Sequence, residues 1–191
     1  SLQFSIPGQG HSNFFHYNLK DQIVDDDPSE ENVQPWISHN GDLVIENGET
    51  MTIENEKYLQ EGNIYANDHS KLIIKDSQLM MGRGDVPTIH VYIIIAPEAL
   101  VEIEGSKIFP ESGLVCVLNK GKVTITDSPT SIHYFDMSDG ASLTMINSQM
   151  VFTIGGLLQV MGGHTTVINS TIGALGIKVP AGAHLNVSNL A

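Results

Sequence analysis

Asp136, Lys178 and His133 are the side chains whose types suit general acid-base chemistry, because a carboxylate, an amine and an imidazole can pass protons near neutral pH. Tyr65, Tyr92 and Tyr134 suit a different task, since their flat rings could stack on the faces of sugars. Eight histidines invite a metal reading, but His11, His16, His39, His69, His90, His133, His164 and His184 lack the short paired spacing of a zinc site and are expected in turns. Asp25, Asp26, Asp27, Glu30 and Glu31 carry the hard oxygens that calcium prefers, without EF-hand spacing. The expectation there is a solvated acidic loop, and no cofactor is assigned. Cys116 is the only cysteine, which excludes an intramolecular disulfide and a cysteine metal cluster.

Charge narrows the partners. Nine basic against 22 acidic residues give a formal net charge of −13, which repels phosphate backbones and anionic headgroups, so nucleic acid is not an expected partner. Residues 142–191 carry a single charged side chain, Lys178. No apolar run approaches the roughly 20 residues of a membrane span, so membrane insertion is not expected. With 41% hydrophobic and 6% aromatic residues and 18 glycines, the 191-residue chain suits a thin aliphatic core with many turns.

The elements that must position these side chains are written in a repeat. An apolar residue, any residue, an apolar residue, any residue and then Asn or Asp, usually followed by Ser, occurs in seven copies. These are Met51 to Asn55, Leu72 to Ser77, Val101 to Ser106 (with Gly105 in the fifth place), Val123 to Ser128, Leu143 to Ser148, Thr165 to Ser170 and Leu185 to Asn189. The column Asn55, Asp76, Gly105, Asp127, Asn147, Asn169 and Asn189 advances by 21, 29, 22, 20, 22 and 20 residues. Period-two alternation marks a strand with one buried face, and one such strand per ~21 residues leaves room for two more. The repeat therefore predicts an all-β, right-handed parallel β-helix of about seven coils with three short sheets. Asn and Asp tolerate the left-handed backbone of a tight bend, so the column is expected to be a structural ladder, with the following Ser able to bond from the next position.

The same register places a candidate surface. Ile64 to Ala66, Ile93 to Ile95, Cys116 to Leu118, Leu158 to Val160 and Ile177 to Val179 would form the first sheet. Its outward row is expected to hold Tyr65, Ile94, Val117, Asp136, Gln159 and Lys178, with Tyr92, Tyr134 and Leu157 beside it and Cys116 inward. Asp136 and Lys178 then lie two coils apart, near 10 Å at ~4.8 Å per coil, which is too far for a direct acid-base pair. Residues 1–35 lack the repeat and are expected to cap the β-helix of residues 36–191. The 29-residue interval places an insertion around Gly82 to Thr88, containing Arg83-Gly84-Asp85. Asn169-Ser-Thr171 and Asn186-Val-Ser188 match the glycosylation acceptor pattern, the first of them expected to be buried in the ladder.

Trp36 followed by Asn40-Gly-Asp-Leu-Val-Ile-Glu-Asn-Gly-Glu-Thr-Met-Thr-Ile53, and Gly140-Ala-Ser-Leu-Thr-Met-Ile-Asn-Ser148, resemble the opening and recurring coils of the pectate-lyase-like superfamily, including repeat regions of bacterial and archaeal cell-surface proteins. The resemblance covers about residues 36–191 and implies fold more than function, because that superfamily includes lyases, hydrolases, epimerases and adhesins. It implies, for a lyase, a calcium-binding acidic cluster with an Arg or Lys base and, for a hydrolase, paired aspartates on the first sheet. Asp136 is the only acid in the outward row, and the sole arginine, Arg83, sits in the insertion. The expected function is thus a non-catalytic extracellular or cell-surface module, binding polysaccharide or cell-wall glycan or acting as a spacer. A polysaccharide lyase or glycoside hydrolase is the alternative, and self-association through the nearly uncharged C-terminal coils is a further expectation.

Overall fold

The computed structural model describes residues 34–83, 90–173, 176–179 and 184–188. Among the described residues, nineteen strands fall into three columns. The first holds β1 (Trp36–Asn40), β4 (Lys57–Glu61), β7 (Gln78–Gly82), β10 (Lys107–Pro110), the first halves of β13 (Pro129–Met137) and β15 (Gln149–Val160), and β17 (Thr171–Gly173). The second holds β2 (Leu43–Ile45), β5 (Ile64–Ala66), β8 (His90–Ile95), β11 (Leu114–Asn119), the second halves of β13 and β15, and β18 (Gly176–Lys178). The third holds β3 (Thr50–Glu54), β6 (Lys71–Lys75), β9 (Leu100–Glu104), β12 (Lys122–Thr126), β14 (Ser142–Ile146), β16 (His164–Ile168) and β19 (His184–Ser188).

All of these pairings are parallel, and no helix occurs among the described residues. The seven repeat copies fall on the seven strands of the third column, which enclose about six turns of an all-β solenoid. The three columns make two hydrogen-bonded sheets, of twelve and seven strands, because β13 and β15 run unbroken through the corner between the first two columns. The expected N-terminal cap lies, up to Val33, outside the described residues.

Alternation buries one face of every strand. Ile53, Ile74, Ile103, Ile125, Met145 and Val167 stand in register along the third column, each 5% exposed or less. Such stacking gives each side chain a like neighbour one coil above and below. Full burial of a residue of this size stabilises by about 1.5–3 kcal/mol.

The Asn/Asp column sits at one corner in every coil. Asn55, Asp76, Gly105, Asp127, Asn147 and Asn169 have φ between 48° and 56°, the left-handed region that costs most L residues about 1–2 kcal/mol and costs Asn, Asp and Gly less. A Cβ on Gly105 would lie 2.5 Å from the Asp76 carboxylate one coil away, so that exposed side chain would have to turn aside. Asn189 lies outside the described residues. These side chains are exposed, Asn169 among them, contrary to its expected burial. One amide contact joins the column, from Asn169 Nδ2 to Asn147 Oδ1 at 3.4 Å.

The buried ladder belongs to the serines that follow. Ser77, Ser106, Ser128, Ser148 and Ser170 are each 6% exposed or less. Each hydroxyl donates to the carbonyl two residues earlier, at 2.6–2.7 Å. Each also accepts a backbone N–H from the coil before, from Glu56, Ser77, Ser106, Ser128 and Ser148 in turn, at 2.9–3.2 Å. The bend residues complete the pairing, for example Asn147 N–H to Ile168 O at 3.0 Å.

Removing one rung strands a buried donor. Ser128→Ala leaves the Ser106 N–H unpaired and is expected to lower unfolding free energy by about 1–3 kcal/mol in urea titration. Asn147→Gly keeps the bend and is expected to change it by less than about 0.5 kcal/mol, whereas Asn147→Ala costs about 1 kcal/mol.

Candidate functional site

The outer face of the second column gathers the candidate side chains into two rows. Register places Tyr65, Ile94, Leu118, Asp136, Gln159 and Lys178 in line, one per coil. Tyr92, Cys116, Tyr134 and Leu157 form the row beside it. Val117, expected outward, instead lines the core with Ile93 and Phe135, and Leu118 takes its place. Cys116, expected inward, shares the row of the two tyrosines. The slip arose because residues 114–118 of this strand are apolar on both faces, so they carry no alternation to set parity.

Cys116 is nonetheless only 3% exposed, enclosed by its strand neighbours Tyr92 and Tyr134. Burial pushes its thiol up to about 11. At neutral pH it is an unreactive SH group between two rings. Tyr134 is also raised, first by burial and then by the Asp136 and Cys116 charges. Tyr65 belongs to the other row, and its hydroxyl is held by Asn63 Nδ2 at 3.2 Å. Asn63 is anchored in turn, accepting the Tyr92 N–H at 3.0 Å.

Histidines complete the face. The His90 ring stacks on Tyr92, with centroids 6.1 Å apart and planes at 25°, and lies 5.9 Å from the His133 ring. His133 Nδ1 is 2.9 Å from Thr153 Oγ1. Desolvation, then the neighbouring His90, lowers the His133 imidazole below its ordinary value. His133 owes its place to an irregularity: pairing of β13 with β15 shifts between Ile132 and Tyr134, where β15 bulges through Thr153 to Gly156. Gly155 has φ of 82°, and a Cβ on Gly156 would meet the His133 carbonyl at 2.4 Å. Gly155-Gly156 inside a strand-like run was the sequence signal for this bulge. The insertion opens on the same corner, between Arg83 and His90, with residues 84–89 outside the described residues.

Asp136 is half-buried, and its Oδ1 has no hydrogen-bond partner among the described residues. Lys178 is exposed two coils away with Gln159 between them, so the three form a polar border and not a proton-transfer pair. No three His, Cys, Asp or Glu side chains converge among the described residues. The acidic run Asp25 to Glu31, expected to be a solvated loop, lies outside them. Sequence reasoning passed over a second aromatic patch, on the first column: Trp36 and Phe109 meet edge-on at 6.2 Å, with Lys107 Nζ 5.1 Å above the Phe109 ring.

The fold and this face define an all-β parallel solenoid with an aromatic and polar outer face. Comparison with protein-family profiles, curated proteins and solved structures gives no match.

The lowered His133 makes stability depend on pH. Between 6.5 and its lower folded value the unfolded chain takes up a proton that the folded chain refuses, so this contribution is present above 6.5 and is lost as pH falls through that window. Urea midpoints measured from pH 7.5 to 4.5 are expected to fall less steeply for His133→Gln than for the parent.

Proposed function

We propose that the chain is a non-catalytic extracellular or cell-surface module of the pectate-lyase-like kind that binds polysaccharide on the outer face of the second column. One observation carries this reading: Tyr92 and Tyr134 stand in a single outward row, two coils apart, bordered by the row of Asp136, Gln159 and Lys178. Flat rings supply stacking area at low conformational cost, and the polar border offers partners for hydroxyls. The parallel strands hold both rows rigidly, so little ordering free energy is lost on binding.

Among the described residues, the acid and the amine of this face are about 10 Å apart along the axis, and its thiol is protonated. A rigid platform with fixed rings serves recognition.

The test is retention on a panel of soluble and insoluble glycans. Binding is expected to at least one, weakened about tenfold, or ~1.4 kcal/mol, by Tyr92→Ala and again by Tyr134→Ala. Retention on none would leave only a spacer role. Release of unsaturated or reducing-end products would make the chain a lyase or hydrolase instead.

A further inference from the structure

We infer that the ligand of this face is an uncharged polysaccharide with a two-sugar repeat, lying along the solenoid axis with alternate rings on Tyr92 and Tyr134, and not a uronate polymer. The inference rests on the glycan-binding reading above and adds the charge and the repeat of the ligand.

Charge comes from Asp136. It lies in the row next to Tyr134, and its charge is felt by the Tyr134 hydroxyl. Its Oδ1 is buried and unpartnered. A carboxylate only accepts hydrogen bonds, so whatever part of this half-buried group faces solvent suits a donor such as a sugar hydroxyl, while the buried Oδ1 is out of a ligand's reach. A uronate would bring a second carboxylate against it, and like charges close together in a partly desolvated site repel. Among the described residues no cation is paired with Asp136 to neutralise such a ligand. Lys178 stands two coils off, and Lys120 lies in the turn beyond the end of β11. His133, with its lowered affinity for protons, is neutral at pH 7.5, and the chain as a whole carries −13.

The repeat comes from spacing. Tyr92, Cys116 and Tyr134 are consecutive in-register neighbours, so the backbone positions that carry the two rings are about two coil rises, ~10 Å, apart along the axis. Cys116 between them is small and buried, which leaves the intervening position without a ring. A β-1,4-linked hexose chain turns each sugar over relative to the last and presents the same face at every second sugar, a length close to that spacing. Helical α-linked glucans do not keep this alignment.

Affinity electrophoresis of the full chain at pH 7.5 separates the possibilities. The gels contain galactomannan or hydroxyethylcellulose as neutral β-1,4 polymers, dextran as a neutral α-linked one, and polygalacturonate or alginate as uronates. The expected result is retardation by a neutral β-1,4 polymer at least tenfold stronger than by either uronate or by dextran, with Asp136→Asn reducing the discrimination against uronates. Equal or stronger retardation by a uronate overturns the charge assignment, and equal retardation by dextran overturns the two-sugar repeat. Retardation by no polymer overturns the glycan-binding reading itself.

Discussion

The constraint on which this structure depends is the pairing of backbone groups at the bend between its third and first columns. A solenoid turns sharply at the same place in each coil, and the N–H and C=O groups there are buried or crowded and cannot be left unpaired. Two adjacent residues meet the need. The first takes a left-handed backbone, which Asn, Asp and Gly tolerate, and hands its N–H to the next coil. The second is a serine whose hydroxyl donates back along its own chain and accepts from the coil before. Each hydroxyl thus serves one coil as acceptor and its own bend as donor, and the rungs share a single geometry from Ser77 to Ser170.

That bend fixes register, and register fixes the outer surface. A slip of one residue between coils would turn every inward side chain outward. Because the corner recurs at nearly constant spacing, Tyr92, Cys116 and Tyr134 fall in one row and Asp136, Gln159 and Lys178 in the next. Where β15 departs from regular pairing, its bulge brings Thr153 against His133. The recurring coil makes the platform, and its irregularities shape one corner of it.

The architecture was legible in the sequence because it is periodic. Apolar alternation ending in Asn or Asp and then Ser reports strand, bend and ladder at once, and each copy supports the others. Details without periodic support were harder to read. Leu114 to Leu118 is apolar throughout, so the sides taken by Cys116 and Val117 could not be read from it. The exposure of the Asn/Asp side chains was missed because left-handed tolerance says how the backbone turns but not where the side chain points. The His90 and His133 pair was invisible because its members are 43 positions apart by their numbering and meet only because β8 and β13 flank β11 in the sheet. Asp136, Gln159 and Lys178 share a row as the repeat implied, but their missing partners and neighbours are tertiary facts.

Cross-linking between coils measures the central claim most directly. Thr124, Thr144 and Thr166 are successive in-register neighbours on the outer face of the third column. Adjacent Cα atoms are then about 4.8 Å apart, inside the range a disulfide spans, while Thr124 and Thr166 are near 10 Å apart, outside it. With Cys116 replaced by Ser, the pairs Thr124→Cys with Thr144→Cys and Thr144→Cys with Thr166→Cys are predicted to oxidise quantitatively to intramolecular disulfides, and Thr124→Cys with Thr166→Cys to remain reduced. Cross-linking of the outer pair with failure of both adjacent pairs would contradict the stacked parallel coils.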